Sequence, residues 1–449
     1  MNFWKKTKKI LVSLIAMVTL SAGVGLGTTA LLVNPVAADT TQTDAPTKIP
    51  APLKLNVKGA IGIDANSGQI LFQQNADQAL PVASLTKILT IYLVMQAIHD
   101  GKLSWDQKLV PDKTCVAISQ NTKFSNVPLK ANTGYTVRSL YQATIIYSAN
   151  AAAMVLAKAV GGSQKNFVDM MRKQVAQFGI KDAKIYTCNG LDNGDLQADA
   201  YPGAPNNAQN KFSAKDMALI SQKLIMQYPE VLNTSKIKEM NFNNGTSETK
   251  MENWNKMLPG SSNSYEKLPV DGLKTGTSDS AGACFVGTLS KEGHRLITVI
   301  LGAQHKNEND NSRFVQTQKM MSYIYHTYNY TTIKADHKFN NTNLPVFHGK
   351  ENEVATKTAH NQGLWLKKNL TPNDVTAKVK VDKSKTKDDS LKAPIKENED
   401  IGTLTLAING QKLQTIDGNG EVQIKAEAVN AVKKANIFEI MWHKVKSWF

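Results

Sequence analysis

Between Ile88 and Ile98 the chain carries no charge, no glycine and no proline. A run that is apolar on every side has to be buried. With Pro81 upstream and Asp100-Gly101 behind it, it reads as a helix inside a core. Ser84-Leu85-Thr86-Lys87 opens that helix. A spacing of three puts Ser84 Oγ and Lys87 Nζ on one face, a turn apart. The helix N-terminus offers free N–H groups and a positive field, which favour an anion forming beside Ser84. A lysine packed among Leu85, Ile88 and Leu89 loses hydration, so its pKa falls until a neutral amine can take a proton. Taken alone, the same four residues fit an N-cap serine followed by a surface lysine.

The rest of the first 330 residues frames this helix. Ala60–Asp64 and Gln69–Gln73 flank Ala65-Asn66-Ser67-Gly68 as a β-hairpin. Val137 to Gly161 is helical, interrupted at Ser148-Ala149-Asn150; Asn166–Phe178 and Ser213–Tyr228 are amphipathic helices, the second with Ser213 as N-cap. Residues 233–268 are polar and read as a surface loop. Gly272–Thr277 is a strand, Ala283–Leu289 and Arg295–Leu301 a hairpin, and Ser312–Tyr328 a closing helix. Strands at both ends with helices between imply one sheet assembled from distant parts of the chain, hence one domain over 54–330.

Beyond it, Val375–Val381 and Thr403–Ile408 alternate as half-buried strands do, and Asn409-Gly410 is a type I′ turn signal. Residues 340–424 therefore read as a small all-β domain, β-sandwich-like, with Asp382–Asp400 as a solvated loop. In residues 426–449, Ile437, Phe438, Met441, Val445 and Trp448 share one helical face, with lysines elsewhere and Trp442 and Phe449 as interfacial aromatics. That is an amphipathic helix suited to an anionic membrane surface; a helix docked on the β-domain is the alternative.

Lys5, Lys6, Lys8 and Lys9 are the only charges before Asp39, an uncharged run follows from Ile10 to Val33, and Val36-Ala37-Ala38 offers a cleavage site. Residues 1–38 thus read as a secretory signal and 39–53, rich in Thr, Pro and Ala, as a spacer; an uncleaved anchor is the alternative. The formal net charge of +16 suits an anionic membrane or wall. Its lysines are scattered rather than interleaved with aromatics, which argues against a nucleic-acid partner. Cys115, Cys188 and Cys284 are odd in number and lack metal-site spacing. They read as buried hydrophobes, with a Cys115–Cys188 bridge as the alternative.

Two further motifs follow the first: Ser148-Ala149-Asn150 in a break between helices, and Lys274-Thr275-Gly276-Thr277 at the start of a strand. Each is ordinary alone. In this order, with 61 residues from Lys87 to Ser148 and 124 from Asn150 to Lys274, they make the chain resemble the penicillin-recognising serine acyltransferases. Within these it is most similar to the serine-type D-Ala-D-Ala carboxypeptidases, the low-molecular-mass penicillin-binding proteins of peptidase family S11. Asn189-Gly190-Leu191-Asp192-Asn193, Asn253-Trp254-Asn255 and Val270–Gly276 add to the likeness.

The resemblance implies an α+β fold: an antiparallel sheet with helices on both faces and a helical lobe, then the β-domain and terminal helix. It implies Ser84 as nucleophile on the carbonyl between two terminal D-alanines, Lys87 as general base and Ser148 as proton relay. Asn150 would hold the substrate amide, Lys274 and Thr275 its carboxylate, with Gly276 beside them. The backbone N–H groups of Ser84 and Thr277 would form an oxyanion hole. Threonine at 277, where His and other residues are common, leaves that role to the backbone. The implied substrate is a peptidoglycan stem peptide, and β-lactams are the implied inhibitors. No metal or cofactor is implied, and the setting is the outer face of the cytoplasmic membrane of a bacterium, read as Gram-positive. Alternatives are a transpeptidase or endopeptidase on the same wall, a class A-like β-lactamase using a glutamate such as Glu230, and an idle wall-binding protein.

Overall fold

In the computed structural model the described residues are 52–307, 310–416 and 420–446, the side chains of 443–446 excepted. The expected signal segment and nearly all of the spacer lie outside them.

Strand β1 (Gly59–Asp64) turns at Ala65–Gly68 into β2 (Ile70–Gln74). The apolar run is helix α1 (Lys87–His99), entered through a 3₁₀ turn at Ala83–Thr86. Then come α2 (Lys113–Ser119), α3 (Val137–Ile146), α4 (Asn150–Gly161), α5 (Gln164–Gln177), α6 (Ala214–Gln227) and the short α7 (Val231–Ser235). Ser213 caps α6, in a reciprocal capping box with Asp216. The polar stretch expected as a loop instead contains a hairpin, β3 (Glu239–Asn243) and β4 (Glu248–Glu252). Strands β5 (Gly272–Ser278), β6 (Gly282–Lys291) and β7 (His294–Ala303) precede helix α8 (Ser312–Thr327).

One antiparallel sheet runs β2-β1-β7-β6-β5, so N-terminal and late strands do pair, Gly59 opposite Leu301. Alternate residues feed opposite faces. Ile61, Ile63, Val286, Ile297 and Val299 join the core built by α1, α3, α4 and α6. Ala60, Phe285, Leu296 and Ile300 pack against Phe314, Met320 and Ile324 of α8. Strand β5 is an edge of the sheet, and the turn that carries Ser84 lies against it.

Past α8 the chain enters β8 (Tyr328–Ile333), which pairs with β9 (Gln362–Lys367). β10 (Val375–Val381), β11 (Asp400–Ile408) and β12 (Gln423–Ala428) form a second antiparallel sheet over a core of Leu364, Leu404, Leu406 and Ile424. The turn at Asn409-Gly410 has both φ angles positive, as type I′ demands. Two expectations need correction. The charged segment 382–400 is not a plain loop but holds short strands at Thr386–Lys387 and Ser390–Lys392. The terminal helix does not span 426–449: residues up to 428 are strand β12, and helix α9 begins only at Ile437 and runs to Lys446. Among the described residues no helix is long and apolar enough to cross a membrane.

The β-domain grips the turn of the β1–β2 hairpin. Trp365 Nε1 donates to Asp64 Oδ1 at 3.0 Å, and Gln69 makes two bonds with the Trp365 backbone, at 2.8 and 2.9 Å. Trp365 is buried, its ring edge-on to Tyr325 and Tyr330. The three cysteines are separate buried thiols, and the alternative Cys115–Cys188 bridge is not formed.

Candidate active site

Ser84 is not the cap of α1. It stands one turn earlier, in the 3₁₀ segment, where Ala83 at φ 46° kinks the chain. Two glycines let neighbours close on this turn. A Cβ on Gly276 of β5 would stand 2.6 Å from the Val82 oxygen, and one on Gly190 would stand 2.0 Å from the Ala83 oxygen.

Lys87 is 1 % exposed, and its Nζ has three oxygen neighbours: Ser84 Oγ at 2.8 Å, Asn150 Oδ1 at 2.8 Å and the Asn189 carbonyl at 2.7 Å. The Asn150 amide is oriented by its Nδ2, which donates to the Ser125 carbonyl at 3.0 Å, so its oxygen faces Lys87. Two of the three neighbours, Asn150 Oδ1 and the Asn189 carbonyl, can only accept. A neutral Lys87 amine has two N–H groups, which those oxygens take, and the lone pair is left pointing at the Ser84 hydroxyl. Burial holds the Lys87 pKa well below its ordinary value, and the charge of Lys274 lowers it further. The site thus presents a desolvated amine aimed at the Ser84 hydroxyl.

Ser148 lies in the break between α3 and α4 at φ 61°, buried, and among the described residues its hydroxyl bonds neither lysine. The loop is held from outside by Trp254, whose Nε1 donates to the Tyr147 carbonyl at 3.1 Å. Both ends of the Asn150 amide are engaged within the protein, so its direct partner here is Lys87 rather than a substrate amide.

Lys274 and Thr275 are buried on β5, while Thr277 is exposed. Lys274 Nζ donates to the Thr275 carbonyl at 3.0 Å. Burial, with Arg313 nearby, brings the Lys274 pKa down to about 7. A small, mostly apolar space lined by Ile88, Ile91, Ile145, Leu224 and Leu273 adjoins both lysines.

Sequence reading missed Arg313. Its Nη1 donates to the Gly276 and Cys284 carbonyls at 2.8 and 3.1 Å, and its Nη2 to Thr277 Oγ1 at 2.6 Å. The guanidinium is therefore the clamp that shapes the Lys274–Thr277 strand. Nothing in the helical pattern of 312–327 marks one arginine as buried. The roles of Asn189 and Trp254 were equally hidden inside segments noted for likeness alone.

Glu230, the candidate deacylating glutamate of the β-lactamase alternative, is half exposed and bonded to His99 Nε2 at 2.6 Å. His99 ends the helix that Lys87 begins, about 18 Å away along its axis at 1.5 Å per residue. It cannot serve Ser84.

A serine on a kinked turn, a buried lysine aimed at it and a lysine-bearing edge strand define an active-site-serine acyltransferase of the penicillin-recognising fold. The chain matches the D-alanyl-D-alanine carboxypeptidase model over residues 44–305, and that of the penicillin-binding protein 5 C-terminal domain over 328–434. It is 31 % identical over 365 residues to the D-alanyl-D-alanine carboxypeptidase DacC of Escherichia coli (strain K12), covering 80 % of this chain and 82 % of that one. To DacF of Bacillus subtilis (strain 168) it is 25 % identical, covering 87 % and 90 %. The crystal structure of a peptidoglycan synthesis regulatory factor (PBP3) from Streptococcus pneumoniae superposes with a TM-score of 0.67 at 31 % identity, over 85 % of this chain and 100 % of that one. The chain belongs to the D-alanyl-D-alanine carboxypeptidase family, peptidase family S11, and is a serine-type hydrolase.

Proposed function

We propose that the chain removes the terminal D-alanine from peptidoglycan stem pentapeptides through an acyl-enzyme on Ser84. The observation that carries the assignment of roles is the set of three oxygens around Lys87 Nζ. Lys87 takes the Ser84 proton as Oγ attacks the carbonyl carbon, and the oxyanion rests on the N–H groups of Ser84 and Thr277. The carbon–nitrogen bond then breaks, and the proton passes from Lys87 through Ser148 Oγ to the departing amine. Lys274 and Thr275 bind the terminal carboxylate of the substrate. Water, deprotonated by Lys87, attacks the acyl carbon and frees Ser84. Asn150 acts by holding Lys87. A β-lactam enters by the same attack, which accords with the ampicillin-bound form of penicillin-binding protein D2 from Listeria monocytogenes, 31 % identical and with a TM-score of 0.50.

In this reading residues 1–38 export the chain, 54–330 carry the chemistry and 340–424 form a spacer domain. The protein works at the outer face of the cytoplasmic membrane of a Gram-positive bacterium. Ile437, Phe438, Met441 and Trp442 are all more than half exposed on α9, which supports a helix lying on the membrane surface.

Release of free D-alanine from a soluble peptide ending in D-Ala-D-Ala, by the full chain beside its Ser84→Ala variant, tests the proposal. Release that vanishes in the variant is expected. A penicillin-acylated chain that releases none would move the activity to transpeptidation or cross-link cleavage.

A further inference from the structure

Just past the end of β5, the Asn189–Asp192 loop and the strand, which flank the Ser84 turn from two sides, are joined by side-chain hydrogen bonds that the reaction does not use. Gln209 Nε2 donates to Asp192 Oδ1 at 2.7 Å, and Ser280 Oγ donates to Gln209 Oε1 at 2.7 Å. Ser280 Oγ lies 3.3 Å from Ser278 Oγ, which accepts from the Ala281 N–H at 3.1 Å. One end of this strap stands three residues beyond Asn189, whose carbonyl holds Lys87; the other begins one residue beyond Thr277.

The two ends differ in rigidity. Gln209 projects from a fixed post, because its neighbour Asn210 is buried and fully bonded. Asn210 Oδ1 accepts from the Tyr186 and Thr187 N–H groups at 2.6 and 3.1 Å. Its Nδ2 donates to Thr86 Oγ1 at 3.1 Å and to the Thr187 carbonyl at 2.7 Å. Thr86 lies in the nucleophile turn itself, so the post is tied to Ser84. Opposite, Asp279 and Ser280 are exposed on a short turn.

We propose that Gln209 is a specificity-determining residue: the Asp192–Gln209–Ser280 strap spans the cleft beside Ser84 and limits the bulk of the acyl group that reaches it. The inference rests on the acyl-transfer reading above. On this proposal a single extended peptide, pairing with the open edge of β5, passes the closed strap. A stem still attached to glycan, or cross-linked to a second stem, needs Gln209 and Ser280 to part. The Gln209–Ser280 contact is between neutral groups facing solvent, so it parts readily and without regard to salt.

The test compares the full chain with Gln209→Ala, Ser280→Ala and the double variant. D-Alanine release is measured from a soluble linear peptide ending in D-Ala-D-Ala and from intact pentapeptide-rich peptidoglycan. Release from the linear peptide should stay within about twofold, while release from peptidoglycan should rise about fivefold, the worth of one hydrogen bond near 1 kcal/mol. The double variant should gain no more than either single one, because both remove the same contact. Ser280, on an exposed turn, is the change that leaves the fold untouched. Equal effects on both substrates, or additive single effects, would defeat the strap while leaving the carboxypeptidase standing. A wild-type chain inert on the linear peptide would defeat the carboxypeptidase reading and the strap's role with it.

Discussion

Lys87 Nζ and the main-chain oxygen of Asn189 stand 2.7 Å apart, a bond between the start of α1 and a loop 102 residues further along the chain. A carbonyl oxygen cannot give a proton, so this contact and its Asn150 counterpart decide which face of the amine meets Ser84.

Asn150→Asp should therefore hold Lys87 as an ammonium. An anion at the position of Asn150 Oδ1 favours the charged lysine, by roughly 1–3 pH units for a partner this close. The acid limb of penicillin acylation, followed with a fluorescent penicillin, should move upward by that amount. An unmoved limb would show that Asn150 does not govern the base.

The alkaline limb should belong to Lys274. Its pKa is lowered to about 7, so in the free enzyme the cation that attracts a carboxylate is present below that pH and fades above it. The KM for a peptide with a free C-terminal carboxylate should rise between pH 7 and 9. The C-terminal amide of the same peptide should show no such rise; parallel profiles would remove Lys274 from carboxylate binding.

Arg313→Met takes away the donors that hold Gly276, Cys284 and Thr277. With the edge strand free to shift by about 1 Å, acylation should fall by about 100-fold. Arg313→Lys should recover little, since an ammonium lacks the planar pair of nitrogens that reaches the two carbonyls from one side and Thr277 Oγ1 from the other. Acylation at the wild-type rate by a folded Arg313→Met chain would mean that packing alone shapes the strand.

Trp365→Ala tests the grip of the β-domain. Loss of the buried ring and its bond to Asp64 should cost about 3–5 kcal/mol, and calorimetry should then resolve two melting transitions. Hydrolysis of a soluble peptide at a permissive temperature should persist. A single cooperative melt at the wild-type midpoint would speak against the interface.

Phe438→Asp with Trp442→Asp should abolish sedimentation of the full chain with anionic vesicles once the signal segment is removed, because both rings are exposed on α9. Undiminished sedimentation would place the membrane contact elsewhere.

Much of this arrangement was legible beforehand, for physical reasons that can be named. The core helices and buried strands announce themselves because their apolar residues recur at the period of the element they form. The three motifs sit at chain breaks that sequence punctuation marks well. What stayed hidden was polar or misleading in composition. The hairpin at 239–252 exposes alternate Glu, Asn and Lys, so its outer face looks like loop. Strand β12 alternates Ile424, Ala426 and Ala428 inward, yet its Ala and Glu residues favour helix and masked the alternation. Arg313 was hidden because its partners are backbone carbonyls, which every sequence contains.

The pairing of β1 with β7 also bears on how the molecule comes into being. Gly59 meets Leu301, so the first strand waits for its neighbour through more than two hundred residues of synthesis, roughly 10–50 s at ordinary elongation rates. During that interval β1 and β2 expose apolar side chains with nothing to cover them, and Ser84 has no edge strand beside it. Catalytic competence must then arrive all at once, when residues through α8 are available. Nascent chains ending before residue 327 should bind no penicillin at all, however much of the helical lobe they have already formed.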